Sequence, residues 1–294
     1  MEKALVLYSG GLDSRLVVRI LQEQSLEVIA LYFALPFGCG CSNLDLEKGV
    51  KVITIDVKKE PLLSEYLKIL KNPKFGTGSG INPCKDCKIF MFKKAKEYAD
   101  RHGIEIIATG EVIGQRPMSQ ISSAMKIIDD AIGFEILRPL CAKRLKETSF
   151  EKKGLVDRNK FLDISGRGRK DQMELAKKYN IEYPTPGGGC FLCEKEPAFR
   201  LKHLLSKNLI NEKTLPLSMV GRHFYIDNAW LVVARDAKES GIISKFTNHV
   251  KDDAGKPSVY YSNKQARQKA LELQNAYSTG GKEEQRKIFD KFKL

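Results

Sequence analysis

The chain has 294 residues, 42% of them apolar, and 50 Lys and Arg against 36 Asp and Glu, for a net charge of +14. That composition excludes a disordered chain, and the absence of an apolar run of about eighteen residues excludes a helical membrane span; the length fits one large domain or a large and a small one. The positive excess favours a polyanionic partner such as nucleic acid, with a lysine-rich solvated surface as the alternative.

In chain order, the opening MEKALVLYSGG reads as a strand rather than a signal peptide, so a cytoplasmic location is expected, with no membrane partner. Short apolar runs recur at ALVLY (4 to 8), EVIALYF (27 to 33), KVITIDV (51 to 57), IEIIATG (104 to 110), FEILRPL (134 to 140) and FLDIS (161 to 165). Between them lie the helical patterns RLVVRILQEQ, PLLSEYLKIL, KDCKIFMFKKAKEYADRHG and KDQMELAKKYN. Strands alternating with helices predict an α/β fold, a doubly wound, mainly parallel sheet covered on both faces, with ligands at the carboxyl ends of the strands. YPTPGGGC (183 to 190) breaks the pattern, because prolines and glycines there continue neither element. HFYIDNAWLVVARD (223 to 236) then reads as a hairpin turning at Asp227 and Asn228, followed by helical, lysine-rich sequence. The expected division is a nucleotide-binding domain over 1–195 and a small basic α+β domain over 196–294.

SGGLDS, after the first strand, lets backbone amides approach an anion and aims a helix N-terminus at the same point. Ser9 and Ser14 would donate hydroxyls, and Asp13 would hold magnesium or orient phosphates. The plainer alternative is a glycine turn with Asp13 or Ser14 as helix cap. The segment resembles the pyrophosphate loop, S-G-G-x-D-S, of the ATP pyrophosphatases, which cleave ATP between its α and β phosphates and pass AMP to an oxygen of the acceptor. The resemblance implies that Ser9, Gly10, Gly11, Leu12, Asp13 and Ser14 bind ATP. It does not fix the acceptor, since synthetases, amidating enzymes and tRNA thiolases share the loop.

Seven cysteines are an odd number, and no export signal accompanies them, which argues against a disulfide framework. Two C-x-x-C pairs, Cys84 with Cys87 and Cys190 with Cys193, point to metal, iron-sulfur or redox chemistry. Cys84 and Cys87 open an amphipathic helix, where the dipole is expected to favour thiolate. SGGLDS, NPCKDCKIFMFKKAKEYA, ATGEVIGQRPMSQ, ILRPL, GRGRKDQMELAKKY and YPTPGGGC together resemble the tRNA 2-thiouridylases and 4-thiouridine synthetases (MnmA/ThiI-like), most closely a MnmA-like subgroup. That resemblance implies a [4Fe-4S] cluster held by Cys84, Cys87 and Cys190, with one iron open to sulfide. In the subgroup GGC is followed by residues other than cysteine, so Cys193 is a departure. A fourth thiolate suits a closed structural zinc (Zn2+) as well as a saturated cluster. A metal-free alternative uses Cys84 and Cys190 as a persulfide carrier and its resolving thiol. Cys39 and Cys41 have no family counterpart and read as a sulfur relay or as surface thiols. Cys141 reads as a small buried filler.

On the loop after the fourth strand, Thr109, Gly110, Gln115 and Arg116 are candidates for contacting nucleotide or the modified base. The alternative is an ordinary strand-to-helix loop in which Met118, Ser119 and Gln120 open a helix. SGRGRK (165 to 170) suits a phosphate backbone or is a solvated turn. The four histidines show no metal spacing and are expected to have no catalytic role. MVGRHFYIDNAWLVVARDAKESGIISKF resembles the NFACT-type RNA-binding domain, with ARD where that pattern carries GR. The resemblance implies RNA contacts by Arg222, His223, Arg235 and Lys238; a structural appendage is the alternative.

These readings converge on an ATP-dependent tRNA sulfurtransferase: Asp13 and the loop act on ATP and Mg2+, a uridine oxygen is adenylated, and sulfur displaces AMP. Cys84 and Cys190 are the catalytic cysteines, and inorganic sulfide or a persulfide carrier donates the sulfur. Two alternatives stay open, a pyrophosphate-loop ligase or amidating enzyme with a structural four-cysteine zinc, and a non-catalytic RNA-binding protein.

Overall fold

The structure is a computed structural model and describes residues 2–38, 50–185 and 190–294. Cys39 and Cys41, and the prolyl-glycine run at 186–189, lie outside the described residues. The chain divides into two compact units, Met1–Glu194 and Lys195–Leu294.

The first unit runs β1 (Lys3–Leu7), α1 (Leu12–Gln22), β2 (Glu27–Ala34), β3 (Lys51–Asp56), α2 (Leu62–Lys71), α3 (Cys84–Arg101), β4 (Ile106–Thr109), α4 (Ser122–Ile132), α5 (Ser149–Lys152) and α6 (Lys170–Lys178). Its four strands pair in parallel in the order β3-β2-β1-β4, with Leu5 opposite both Ile29 and Ile107. Successive strand side chains point to opposite faces. Ala4, Val6, Val28, Ala30, Ile106 and Ala108 join one buried cluster with Leu16, Val17, Ile20 and Leu21 of α1 and Ala176 of α6. The alternate set, Leu5, Ile29, Leu31 and Ile107, is buried as well, and α3 contacts β1 and β4. Helices therefore flank the sheet, which explains why its central strands read as continuous apolar runs rather than alternating ones. This is the expected doubly wound α/β fold. Between β1 and β4 the strand order reverses, and crevices at such a switch point receive ligands.

The fifth and sixth apolar runs do not extend the sheet as full strands. FEILRPL contributes a single parallel bridge, Leu137 to Ala108, and FLDIS another, Ser165 to Ile113. Pro139, two residues past the first bridge, has no amide proton to donate to a ladder, and the chain turns there into a tight segment in which Cys141 N–H reaches the Arg138 carbonyl at 3.0 Å.

The second unit runs α7 (Lys195–Ser206), β5 (Arg222–Ile226), β6 (Ala229–Val233), α8 (Ala237–Ile243), β7 (His249–Val250), β8 (Val259–Tyr261), α9 (Arg267–Ala276) and α10 (Glu283–Asp290). β5 and β6 form the hairpin expected from sequence, and Asp227 and Asn228 turn it with φ of 47° and 59°. Two left-handed residues at a two-residue hairpin turn match the twist of the flanking strands, and Asp and Asn tolerate that conformation best after glycine. The antiparallel sheet, ordered β5-β6-β8-β7, includes two short strands where the sequence reads as helix alone. Phe224, Leu231, Val233 and Val259 pack on Ala270, Leu273 and Phe289 of α9 and α10.

Candidate functional site

Where β1 ends, Tyr8 still donates its N–H to Leu31 at 2.8 Å, and the chain then turns through Gly10 at φ 78° into α1. Gly11 is the N-cap and no side chain caps this helix. That excludes the plainer reading of Asp13 or Ser14 as the cap. Ser14 instead donates to the Gly11 carbonyl at 2.9 Å and lies 3.3 Å from Ser9 Oγ, which braces the loop from inside. Leu12 and Ser14 are buried, so Leu12 has only its backbone amide to offer a ligand. An uncapped N-terminus preceded by a glycine turn presents free amides to an anion.

The loop after β4 closes on this turn. A Cβ on Gly110 would lie 2.8 Å from the Asp13 carbonyl carbon and 2.9 Å from Ser14 N. Glycine is therefore required there by space rather than by φ. Thr109 is buried and tied to Leu137 through its N–H at 3.0 Å. Gln115 donates from Nε2 to Asp13 Oδ2 at 3.0 Å. Burial raises the Asp13 carboxyl above its ordinary value, against Gln115, Arg169, Arg116 and Gln172, which all favour its charged form. Arg169 comes from SGRGRK, whose Gly166 donates to the Ile113 carbonyl at 2.7 Å. Two loops remote in sequence thus bring arginines beside the SGGLDS turn, where phosphates would be received.

The cysteines occupy a second cluster on the same unit. α3 starts at Cys84, and the 190–193 turn is pinned beside it because Ile81 and Asn82 both donate to the Leu192 carbonyl at 2.9 Å. Cys190 Sγ donates to the Phe37 carbonyl, just beyond β2, at 3.1 Å. Cys87 is buried with its sulfur 3.1 Å from Tyr66 Oη. All five described cysteines are free, and Cys141 is fully buried, the filler expected. The expectation that the helix N-terminus favours thiolate is reversed. Burial first, then the neighbouring Cys193 and Cys190, push the Cys84 thiol up to about 12, with Lys88 pulling the other way. Burial likewise pushes Cys87 up. A helix dipole acting on one turn is outweighed by desolvation and by like charges nearby. Among the described residues, no three His, Cys, Asp or Glu side chains are gathered as a ready chelating group.

An ion-pair network joins the two clusters, and sequence reasoning missed it. Glu111, 1% exposed and next after Gly110, accepts from Lys88 Nζ at 2.7 Å and from Arg138 Nε at 3.0 Å. Arg138 also forks onto Asp129 at 2.6 and 3.1 Å. Burial alone would raise the Glu111 carboxyl, but Lys88 and Arg138 outweigh it and hold it below the usual range. Lys88 is one turn beyond Cys84 on α3, so the network runs from the cysteine helix to the loop after β4. The one available signal was an acidic residue in an apolar strand end, ATGEVI, which calls for a buried partner.

In the second unit, His223 is 1% exposed and cannot reach RNA. The Trp230 indole donates to its Nδ1 at 3.0 Å, and its Nε2 lies 2.8 Å from the Val220 carbonyl. An indole only donates, so the proton sits on Nε2 and the ring is neutral. Arg235 is exposed but bonded to Glu239. Arg222 lies 5.3 Å over the Tyr277 ring, and Lys238 is exposed.

The sequence profile of a family described as "Thiamine biosynthesis protein (ThiI)" matches residues 1–149. A tRNA-specific 2-thiouridylase MnmA of Petrotoga mobilis is 29% identical, over 38% of this chain and 36% of its own. A probable tRNA sulfurtransferase of Acholeplasma laidlawii is 29% identical, over 72% of this chain and 51% of its own. The chain thus spans between about a third and about half of the length of these curated relatives. A crystal structure described as a 4-thiouridine synthetase–RNA complex with bound ATP overlays with a TM-score of 0.41 at 19% identity, covering 74% of this chain and 52% of that one.

Proposed function

Because the chain belongs to the ThiI family, we propose that it is an ATP-dependent tRNA sulfurtransferase, with ATP bound at the SGGLDS turn and sulfur handled by the cysteines. The observation that carries this reading is that both clusters lie at the carboxyl edge of one parallel sheet: the turn follows β1, Glu111 follows β4, Phe37 follows β2, and Lys88 to Glu111 links them at 2.7 Å.

In the proposed reaction a uridine carbonyl oxygen attacks the α phosphorus, and the bond to the β-phosphate oxygen breaks. Pyrophosphate leaves toward the N-terminal amides of α1 at Leu12 and Asp13, with Arg116 and Arg169 offsetting its charge. Ser9 and Ser14 keep the turn in shape. Sulfide then adds to the activated carbon, AMP departs with the former carbonyl oxygen, and the carbon is left doubly bonded to sulfur.

Magnesium fits the site because buried Asp13 Oδ1 has no hydrogen-bond partner among the described residues; when bound, it would neutralise phosphate charge. A [4Fe-4S] cluster fits Cys84, Cys87 and Cys190 in donor chemistry, since soft thiolates hold iron and these thiols raise one another's pKa through charge that a shared cation would relieve. When bound, the cluster would supply an iron at which sulfide is held. Cys193, close enough to Cys84 to raise its thiol pKa, favours one second reading, a four-thiolate zinc site in a ligase.

For the second unit we propose RNA-phosphate contacts by Arg222, Arg235 and Lys238, with His223 removed from the set. The test is oxygen-free protein with ATP, labelled sulfide and tRNA. Thiolated uridine and AMP in equal amounts, lost in Asp13→Ala, support the reading. ATP cleavage that tRNA leaves unaffected and that yields no thiolated base would overturn it in favour of the ligase.

A further inference from the structure

One polar side chain beside the SGGLDS turn has no task in the reaction above. Gln172, in the first turn of α6, is 0% exposed, and neither its Oε1 nor its Nε2 has a hydrogen-bond partner among the described residues. An amide buried unpaired destabilises a fold, so its presence calls for a ligand that satisfies it. Among the buried oxygens that share the condition are Asp13 Oδ1 and Gln115 Oε1. The Gln115 amide is oriented by its bond from Nε2 to Asp13 Oδ2 at 3.0 Å, so its orphan atom is an acceptor and not a misassigned donor. α6 packs against α1, and the Gln172 amide favours the charged form of Asp13 as a donor would, without coming within hydrogen-bond distance of it.

One carboxylate oxygen and two amide oxygens are the donor type that hard divalent cations select. We propose that Gln172 and Gln115 complete, with Asp13, the protein half of a divalent-cation site that is filled together with the nucleotide. The inference rests on the nucleotide-binding reading of the SGGLDS turn and extends it to a residue from α6. Arg116 and Arg169 lie close enough to act on Asp13, so a bare cation meets net repulsion while phosphates are attracted. The cation therefore arrives with phosphates, which supply its remaining oxygens, and the two glutamines choose where on the phosphate chain it rests.

The experiment measures binding of Mn2+ and α,β-methylene-ATP to the full chain by Mn2+ paramagnetic resonance and calorimetry, with a parallel titration of the nucleotide alone in chelator. Gln172→Met keeps the volume and removes the amide; Gln172→Glu adds a charge. The expected result is a loss of about tenfold or more in Mn2+–nucleotide affinity for Gln172→Met, unchanged metal-free nucleotide affinity, and tighter Mn2+ binding for Gln172→Glu. The melting temperature of ligand-free Gln172→Met should rise by about 2–4 °C, because an unpaired amide has been replaced by a thioether. Unchanged Mn2+–nucleotide affinity in Gln172→Met, or equal losses with and without metal, would overturn the proposal and leave nucleotide binding intact. A wild-type chain that binds the analogue under neither condition would overturn the nucleotide reading and this inference with it.

Discussion

Gly110→Ala tests whether the β4 loop and the SGGLDS turn form one binding surface. The added carbon would lie 2.8 Å from the Asp13 carbonyl carbon, 2.9 Å from its oxygen and 2.9 Å from Ser14 N. All three are backbone atoms, so no side-chain rotation relieves the contact. Ordinary contact begins near 3.5 Å, and the turn must retreat by about 0.6 Å. Overpacking of this kind costs about 1–3 kcal/mol. If about 2 kcal/mol of it is drawn from the amides that receive phosphate, nucleotide affinity falls about 30-fold. Gly241→Ala is the control, since a Cβ there meets nothing within 4 Å and alanine in a helix is favoured over glycine. Calorimetric titration with α,β-methylene-ATP measures both variants. Wild-type affinity in Gly110→Ala, or equal losses in the two variants, would refute the argument that these loops meet to hold the nucleotide.

His223 gives a pH prediction for the second unit. Burial and then Arg200 push its imidazole down to about 3, so below the ordinary value of 6.5 the unfolded chain binds a proton that the native state refuses. Stability is complete above pH 6.5 and declines as pH falls toward 3, by up to about 1.4 kcal/mol per pH unit; fluorescence of the single tryptophan, Trp230, should show unfolding at lower denaturant at pH 5 than at pH 7.5, and His223→Gln should flatten that dependence. Glu111→Gln removes the countercharge of Lys88 and of buried Arg138, which keeps Asp129. Urea unfolding should register a loss of about 3 kcal/mol, and a loss under about 1 kcal/mol would mean that the network is peripheral to stability. Iron, sulfide and zinc analysis of oxygen-free protein should find about four irons per chain, retained in Cys193→Ala. Stoichiometric zinc lost in that variant would move the cysteines to a structural role.

Sequence by itself determined the fold class and where the SGGLDS turn and the thiol pairs lie along the chain. Those properties are local: apolar runs of strand length, glycines at a turn, and two-residue cysteine spacing each carry their physics within a few neighbouring residues. The parallel arrangement then followed from alternation alone, and parallel strands put their carboxyl ends, with SGGLDS and ATGE, on one edge. Tertiary structure decided what depends on which groups leave water together. Pairing reduced FEILRPL and FLDIS to single bridges. Burial turned His223 from an RNA contact into a neutral hydrogen-bonded core residue, and drove the Cys84 thiol up where the helix N-terminus alone would lower it. The Lys88–Glu111–Arg138 network and the orphan amide of Gln172 have no signature in local spacing, because a salt bridge across 23 residues and a missing hydrogen-bond partner exist only once the chain has closed around them.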